Sequence, residues 1–526
     1  MNILLINSWE KDCGTKNFLS PPMGLWRIEA FLRNKMDEVK VDIFDPNLHI
    51  DVFQEFSKLL NNKKFDIIGF SPLHFTLDYD ISLMYFCVQN SPESLFIAGG
   101  QEATFNSKFL FKNFSELNLI IAGEGEKPLK KLVEVLKKHP IEEVKRNVDL
   151  LKQIEGLFLR DSNILTKPNL PMDYELFKEV TMLTNFDVIP QKEYWDLISS
   201  YYTEEELKDN ELKKKILVLK PFTSNYCPYN CVFCSSTNFQ SFAAKAPVRS
   251  ISLKTEDMEI YLRELLKNQP KAKTILFKDD NFFDRGNKDN VDMLKMFIKL
   301  GKEFPSLSFA TKTRIDTFIR EPELIGLLKK ANFFFVSLGV ESFSQKELKY
   351  MNKGVSPEDN KKVLRELNKA GIKSIIYIIL STLVTLVEDI FLTIDSCIEF
   401  IERGDVVKVF PYMIPIKGST LGEDTSLKGF TFYDEKKIPL TEKKIKITQK
   451  IVPKDRKARE LLEEFEKRYQ FKEQEYKKKL ITKHFTAEIS TPIKFLTLYE
   501  LAKEKKFLDE KKCNNMISRI KKIVKI

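Results

Sequence analysis

Twice along this 526-residue chain, short apolar runs alternate with stretches whose apolar residues recur at helical spacing. Such a series folds as parallel strands with helices laid across them. Over residues 1–140 the runs 2–7, 40–44, 66–71, 95–99 and 118–122 read as buried strands, and 25–33, 52–60, 80–88 and 128–137 as the helices between them. This predicts a doubly wound, Rossmann-like parallel sheet, in which ligands sit beyond the carboxyl ends of the strands. Those ends carry small or turn-forming residues: Asn7-Ser8, Ser71-Pro72-Leu73, Gly99-Gly100 and Gly123-Glu124-Gly125. Any one glycine can simply close a strand-to-helix turn. Four such ends together point to a ligand platform.

The second series, over residues 216–425, places strands near 217–221, 274–277, 307–310, 333–338, 375–380 and 406–410. Six strand–helix units suit a partial (β/α)6 barrel of the TIM type. Between the two series, residues 141–215 read as a connecting segment broken by Pro168, Pro171 and Pro190, with an exposed helix over 204–215. Residues 426–526 turn Lys- and Glu-rich with helical spacing over 456–479 and 516–526, so a mainly helical C-terminal domain is expected. The whole chain is therefore of the α/β class.

Composition enters as an exclusion. With 43% hydrophobic and 30% charged residues, the chain is neither disordered, collagen-like nor a disulfide scaffold. The opening apolar run is followed by Glu10, Lys11 and Asp12 rather than a cleavage site. The longest mainly apolar run without charge, 374–387, is shorter than the roughly 18–20 residues that span a bilayer. A cytoplasmic protein without a membrane partner is expected. A formal charge of +10 over this length reads as a basic solvated surface rather than a nucleic-acid groove.

The most specific chemical signal is Cys227-Pro-Tyr-Asn-Cys231-Val-Phe-Cys234, directly after the first strand of the second series, where a loop at a barrel mouth would lie. Thiolates three and four positions apart on a loop can converge on one iron–sulfur cluster, and clustered thiols suit a reducing compartment. A structural zinc site ordinarily needs four protein ligands, and His49, His74, His139 and His484 are all distant in sequence. Three ligands leave one iron open to a substrate or cosubstrate, which favours chemistry over structure. Cys13, Cys87, Cys397 and Cys513 are scattered and read as ordinary thiols.

C-x3-C-x2-C with Phe233 before its last cysteine, opening a six-strand half barrel, resembles the radical S-adenosylmethionine (SAM) superfamily. The resemblance implies that Cys227, Cys231 and Cys234 hold a 4Fe-4S cluster whose fourth iron is chelated by SAM. It also implies an external one-electron reductant of the flavodoxin or ferredoxin type, whose electron splits SAM into methionine and a 5′-deoxyadenosyl radical. By the same resemblance Phe233 flanks the adenine, and Gly339-Val340-Glu341-Ser342, after the fourth barrel strand, positions SAM. Glu341 is then the polar contact, with a barrel-mouth salt bridge as the alternative for its carboxylate.

The N-terminal half is similar to the cobalamin-binding half of the cobalamin-dependent (B12-binding) radical SAM enzymes. The matching segments are Pro21-Pro22-Met23-Gly24-Leu25, Gly69-Phe70-Ser71, Gly99-Gly100 and Gly123-Glu124-Gly125-Glu126. The implied cobalamin contacts are Ser71, Leu73, Gly99, Gly100, Gly123 and Glu124. Lys278-Asp279-Asp280-Asn281-Phe282 resembles an acidic segment of that subgroup. Asp279 and Asp280 either hydrogen-bond or deprotonate the substrate, as catalytic residues, or cap the next helix. The chain departs from the pattern twice. The Asp-x-His-x-x-Gly motif that supplies an axial histidine is absent from the 8–14 loop, and Leu380-Ser381-Thr382-Leu383-Val384-Thr385 replaces the Gly/Pro-rich turn after the fifth barrel strand.

The expected activity is therefore methylation of an unactivated carbon of a natural-product intermediate or peptide, with one SAM methylating the corrin and a second cleaved to the radical. Ring closure, ring contraction or oxidation without methyl transfer is the alternative within the family. Methylthio transfer to transfer RNA is disfavoured, since those enzymes carry further N-terminal cysteines and only Cys13 and Cys87 are available here. A protein of another class, binding nucleic acid around a structural cluster, would place Arg519, Lys521, Lys522 and Lys525 on phosphates and weaken steeply with salt.

Overall fold

The computed structural model describes residues 1–11, 19–160, 164–184, 186–479 and 487–524. Asp12, Cys13 and Gly14 of the first loop, His484 and Lys525 lie outside the described residues. The first sheet contains β1 (Asn2–Asn7), β2 (Lys40–Phe44), β3 (Ile67–Ser71), β4 (Leu95–Ala98), β5 (Leu119–Ile121) and β6 (Leu157–Leu159), in the order β2-β1-β3-β4-β5-β6. The first five run parallel, as their near-continuous apolar runs require of strands covered on both faces. Ile3, Leu4, Leu5 and Ile6 are all buried accordingly. The sixth strand corrects the expected all-parallel sheet. Leu157-Phe158-Leu159 comes from the supposed connecting segment and pairs antiparallel with β5; three residues are too few for a period to show.

The second sheet contains β7 (Val218–Leu219), β8 (Thr274–Leu276), β9 (Ser308–Thr313), β10 (Phe333–Glu341), β11 (Lys373–Ile379) and β12 (Val406–Phe410). Each strand pairs in parallel with the next, which leaves β7 and β12 as edges of the partial barrel. An open edge needs cover. The helix Ala487–Glu504 supplies it, with Thr491 Oγ1 donating to the Val407 carbonyl (2.7 Å) and Lys494 Nζ to the Val409 carbonyl (3.0 Å).

The C-terminal region begins with a hairpin that the helical expectation missed: β13 (Thr431–Lys437) and β14 (Lys444–Ile451). Its period-two signal, Lys444-Ile445-Lys446-Ile447, was masked by a lysine content that suits a helix equally well. The helices Arg456–Lys479, Ala487–Glu504 and Glu510–Val524 follow. Among the described residues no helix is long and apolar enough to cross a membrane. Arg519 of the last helix is ion-paired with Glu402 at 2.7 Å, which opposes the phosphate-binding reading.

The hairpin ties the two sheets together. Ile438, Ile445 and Ile447 join the core of the first sheet, while the Ile451 N–H donates to the Met413 carbonyl below the barrel mouth (2.9 Å). His74 is the polar part of this joint, with Nε2 2.7 Å from the Thr448 carbonyl and Nδ1 3.6 Å from Glu102. Burial works against the imidazolium, but the Glu102 carboxylate and the Thr448 carbonyl outweigh it and hold His74 above its ordinary value. The folded state then binds this proton more tightly than the unfolded chain. The stabilisation is complete below about pH 6.5 and fades as pH rises through the folded-state value. Thermal melts between about pH 6 and 8 are expected to show a steeper fall in Tm for the wild type than for His74→Gln. Equal slopes would remove His74 as the responsible group.

Candidate active site

The carboxyl ends of β1, β3, β4 and β5 open onto a cavity of about 490 Å3 whose far wall belongs to the barrel. Ser71, Leu73, Gly99, Gly100, Gly123 and Glu124 all line it, with Lys220, Phe222, Gln240 and Lys278 opposite. Gly100 and Gly123 hold φ of +86° and +78°, and a Cβ on Gly123 would lie 2.7 Å from the Cβ of Ala243. Glycine is therefore required for helix Ser236–Ala244 of the barrel to close onto this floor. The Asp80 carboxylate fastens the edges of the floor. It accepts from the N–H of Trp9 (2.8 Å), the N–H of Leu73 (3.1 Å) and the hydroxyl of Thr76 (2.6 Å). Glu124 accepts from the Met172 N–H (2.8 Å) and from Gln240 Nε2 (3.0 Å). Burial and the neighbouring Glu126 push its carboxyl up to about 7. The described lining residues include no imidazole. A floor of backbone and small side chains fits a flat macrocycle.

Cys227, Cys231 and Cys234 lie on the loop between β7 and helix Ser236–Ala244 as partly buried free thiols. Backbone hydrogen bonds pin the loop from two sides, Val232 N–H to the Met351 carbonyl (3.3 Å) and Leu421 N–H to the Val232 carbonyl (2.9 Å). Phe233 packs against an apolar cluster that includes Met351, Leu383 and Met413. Burial, Asp280 and the other two thiols push Cys227 up to about 12, and burial and Asp280 raise Cys234 as well. Three thiolates here are costly without a cation among them, so the donor set suits an iron centre. No three His, Cys, Asp or Glu side chains among the described residues converge on a single ion. Ligands that each take a different iron of a cluster need not do so.

The two aspartates have separate positions. Asp279 is 1% exposed and accepts from the Thr223 N–H (2.8 Å), the Thr223 hydroxyl (3.1 Å) and the Ser224 hydroxyl (2.5 Å). It clasps the segment that leads into the cysteine loop. Asp280 is partly exposed, faces Lys312 at 3.4 Å and lies close enough to Cys227 and Cys234 to raise their thiols. Neither caps the following helix, which starts at Asn287 behind Gly286.

Gly339-Val340-Glu341 lies within β10 rather than after it, because the strand continues through a bulge between Gly339 and Glu341. With Glu341 at φ +65°, the bulge re-aims its carboxylate, whose Oε1 sits 3.3 Å from Lys353 Nζ. A Cβ on Gly339 would come within 2.6 Å of that oxygen, so glycine is what admits the ion pair. The barrel-mouth salt bridge left open by the sequence is therefore present. Ser342 is buried, with its hydroxyl 3.2 Å from Thr393 Oγ1 and accepting the Ser344 N–H at 3.1 Å. Its side chain shapes the turn. In the unusual 380–385 turn, hydroxyls replace the expected Gly/Pro geometry: Thr382 N–H donates to Thr385 Oγ1 (2.7 Å), and Ser381 Oγ donates to the Pro411 carbonyl (2.7 Å).

Arg314, just past β9, was not singled out from the sequence. Its Nη1 donates to Cys231 Sγ at 3.2 Å, and its guanidinium lies 4.0 Å from the Tyr229 ring centroid. A hydrogen bond and a positive charge beside Cys231 would favour the reduced state of a cluster held there. A basic residue at the carboxyl end of a barrel strand was the available signal, but a single arginine has no spacing to distinguish it.

The radical SAM superfamily model matches residues 222–390. An uncharacterized methyltransferase of Pyrococcus horikoshii is 24% identical over 357 residues, covering 68% of this chain and 68% of that protein. An anaerobic magnesium-protoporphyrin IX monomethyl ester cyclase of Cereibacter sphaeroides is 24% identical over 283 residues, 53% of this chain and 40% of its own length. The chain thus spans less than half of that relative. The structure of OxsB, a cobalamin-dependent S-adenosylmethionine radical enzyme with aqua-cobalamin bound, shares the fold. Its TM-score is 0.66 at 17% identity, over 100% of this chain and 79% of that one.

Proposed function

Through residues 222–390 this chain belongs to the radical SAM superfamily, and we propose that it is a cobalamin-dependent methyltransferase acting on an unactivated carbon of a small molecule or peptide. The observation that carries this reading is the glycine-floored cavity: it is closed on its far side by barrel residues Lys220 and Lys278, beside the mouth that bears the three cysteines. The Pyrococcus horikoshii relative, named as a methyltransferase, agrees with it.

When bound, a 4Fe-4S cluster with SAM supplies hydrogen abstraction and cobalamin supplies a methyl group, while the protein must position both and exclude water. Cys227, Cys231 and Cys234 would hold the cluster, and Arg314 fixes Cys231 through its sulfur. Phe233 would offer an apolar wall to the adenine, and the Glu341–Lys353 pair at the Gly339–Glu341 bulge would meet the polar end of SAM. The backbone at Ser71, Leu73, Gly99, Gly100 and Gly123 would lie against the corrin, with Glu124 at its edge. Asp280, partly exposed beside the cysteine loop, would hydrogen-bond or deprotonate the substrate. An external flavodoxin- or ferredoxin-type reductant and a cytoplasmic setting complete the proposal.

Turnover of the anaerobically reconstituted protein with candidate acceptors tests it. Methyl transfer is expected to form S-adenosylhomocysteine and 5′-deoxyadenosine together. Formation of 5′-deoxyadenosine alone would overturn it in favour of ring-closing or oxidative chemistry.

A further inference from the structure

Between the edge strands β7 and β12 the barrel lumen opens into a second cavity of about 900 Å3, flanked by helix Ala487–Glu504 and by residues of the 198–216 segment. This volume is typical of a small-molecule site. Its walls are apolar where Phe335, Tyr377 and Phe410 face inward, yet its charged lining is six lysines, 214, 215, 220, 373, 408 and 494, against one acid, Glu488. Lys214 is already paired with Glu211. Lys220 Nζ donates to the Leu19 carbonyl at 2.7 Å, Lys494 Nζ donates to the Val409 carbonyl, and Lys408 Nζ lies 5.5 Å from the Tyr377 ring centroid.

Ammonium groups gathered in a partly apolar cavity repel one another and lose hydration. Burial, Lys278 and Lys408 bring Lys220 down to about 7. Burial, opposed by Glu488 and assisted by Lys278, brings Lys408 down to about 8. Glu10 and Asp280 are the acids that face Lys278. An anion entering this group offsets both costs, and each ammonium brings three donors to it.

Building on the methyltransferase reading, we infer that the substrate is an anionic amphiphile, its carboxylate or phosphate held by Lys220 and Lys408 with Lys494 at the rim and its apolar body lodged along Tyr377 and Phe335. Lys220 lines both this cavity and the N-terminal one, so the anionic end is the end nearest the cofactors.

Calorimetric titration of the full chain with decanoate, decyl phosphate and uncharged decanol tests this. At least one anion is expected to bind about tenfold or more tightly than decanol. Lys220→Met and Lys408→Met should each weaken the anion by about tenfold or more and leave decanol unchanged. Tighter binding of decyl phosphate assigns a phosphate head, and tighter binding of decanoate a carboxylate. Decanol binding as tightly as either anion, or anion affinity undiminished in both folded variants, would overturn the site. Lys408→Gln serves where a methionine variant does not fold. The titration needs neither SAM nor cobalamin. A failure of methyl transfer therefore leaves the anion site standing, whereas loss of anion binding beside both SAM products removes the site alone.

Discussion

The triple variant Cys227→Ala, Cys231→Ala, Cys234→Ala is expected to lose its bound iron and all formation of 5′-deoxyadenosine while keeping its fold. The physical reason is that the loop does not depend on the thiols for its path. Its anchors are the Val232 N–H on the Met351 carbonyl and the Leu421 N–H on the Val232 carbonyl, with Val232 and Phe233 packed on the apolar cluster beneath. The thiols are only partly buried, so alanine leaves no large cavity. Cobalt is expected to be retained, because the N-terminal cavity is lined by other residues. Iron, sulfide and cobalt analysis with far-ultraviolet circular dichroism checks this. About four irons per chain surviving in the variant would place the cluster elsewhere.

Asp279→Ala is expected to destabilise the protein by about 3–5 kcal/mol, although the residue touches no cofactor site. The substitution strands the Thr223 N–H and the hydroxyls of Thr223 and Ser224 in the core. It also removes the strongest counter-charge of the half-buried Arg285, whose Nη2 donates to Thr223 Oγ1 at 3.2 Å. Because Thr223 and Ser224 lead directly to Cys227, iron occupancy should fall together with stability. Asp280→Ala, at a partly exposed side chain, should shift stability by no more than about 0.5 kcal/mol and act on turnover instead. Denaturant midpoints of the two variants decide it, since equal midpoints would remove the clasp.

Much of the architecture was legible because parallel strands covered on both faces must be apolar throughout, whatever their neighbours. The strands Asn2–Asn7, Lys40–Phe44 and Val406–Phe410 appear at their expected bounds. Local chemistry was legible for a similar reason. Cysteine spacing and glycines with φ near +80° at Gly100 and Gly123 are properties of a few consecutive residues. Short or mixed signals were not legible: β6 has three residues, and β14 alternates isoleucine with the lysine that also fills the helices after it.

The sequence by itself determined the parallel strands of both sheets, the three-thiol loop and the small-residue floor, all written in patterns whose period or spacing is local. Only the tertiary structure decided what the charged residues do. Asp279 and Asp280 are adjacent, yet one is buried beneath the cysteine loop and the other is partly exposed beside it. Arg314 reaches Cys231, and Lys220 meets Lys408, across long stretches of chain. The energy of a charge depends on its burial and on its distance to other charges, and neither exists until the chain has folded.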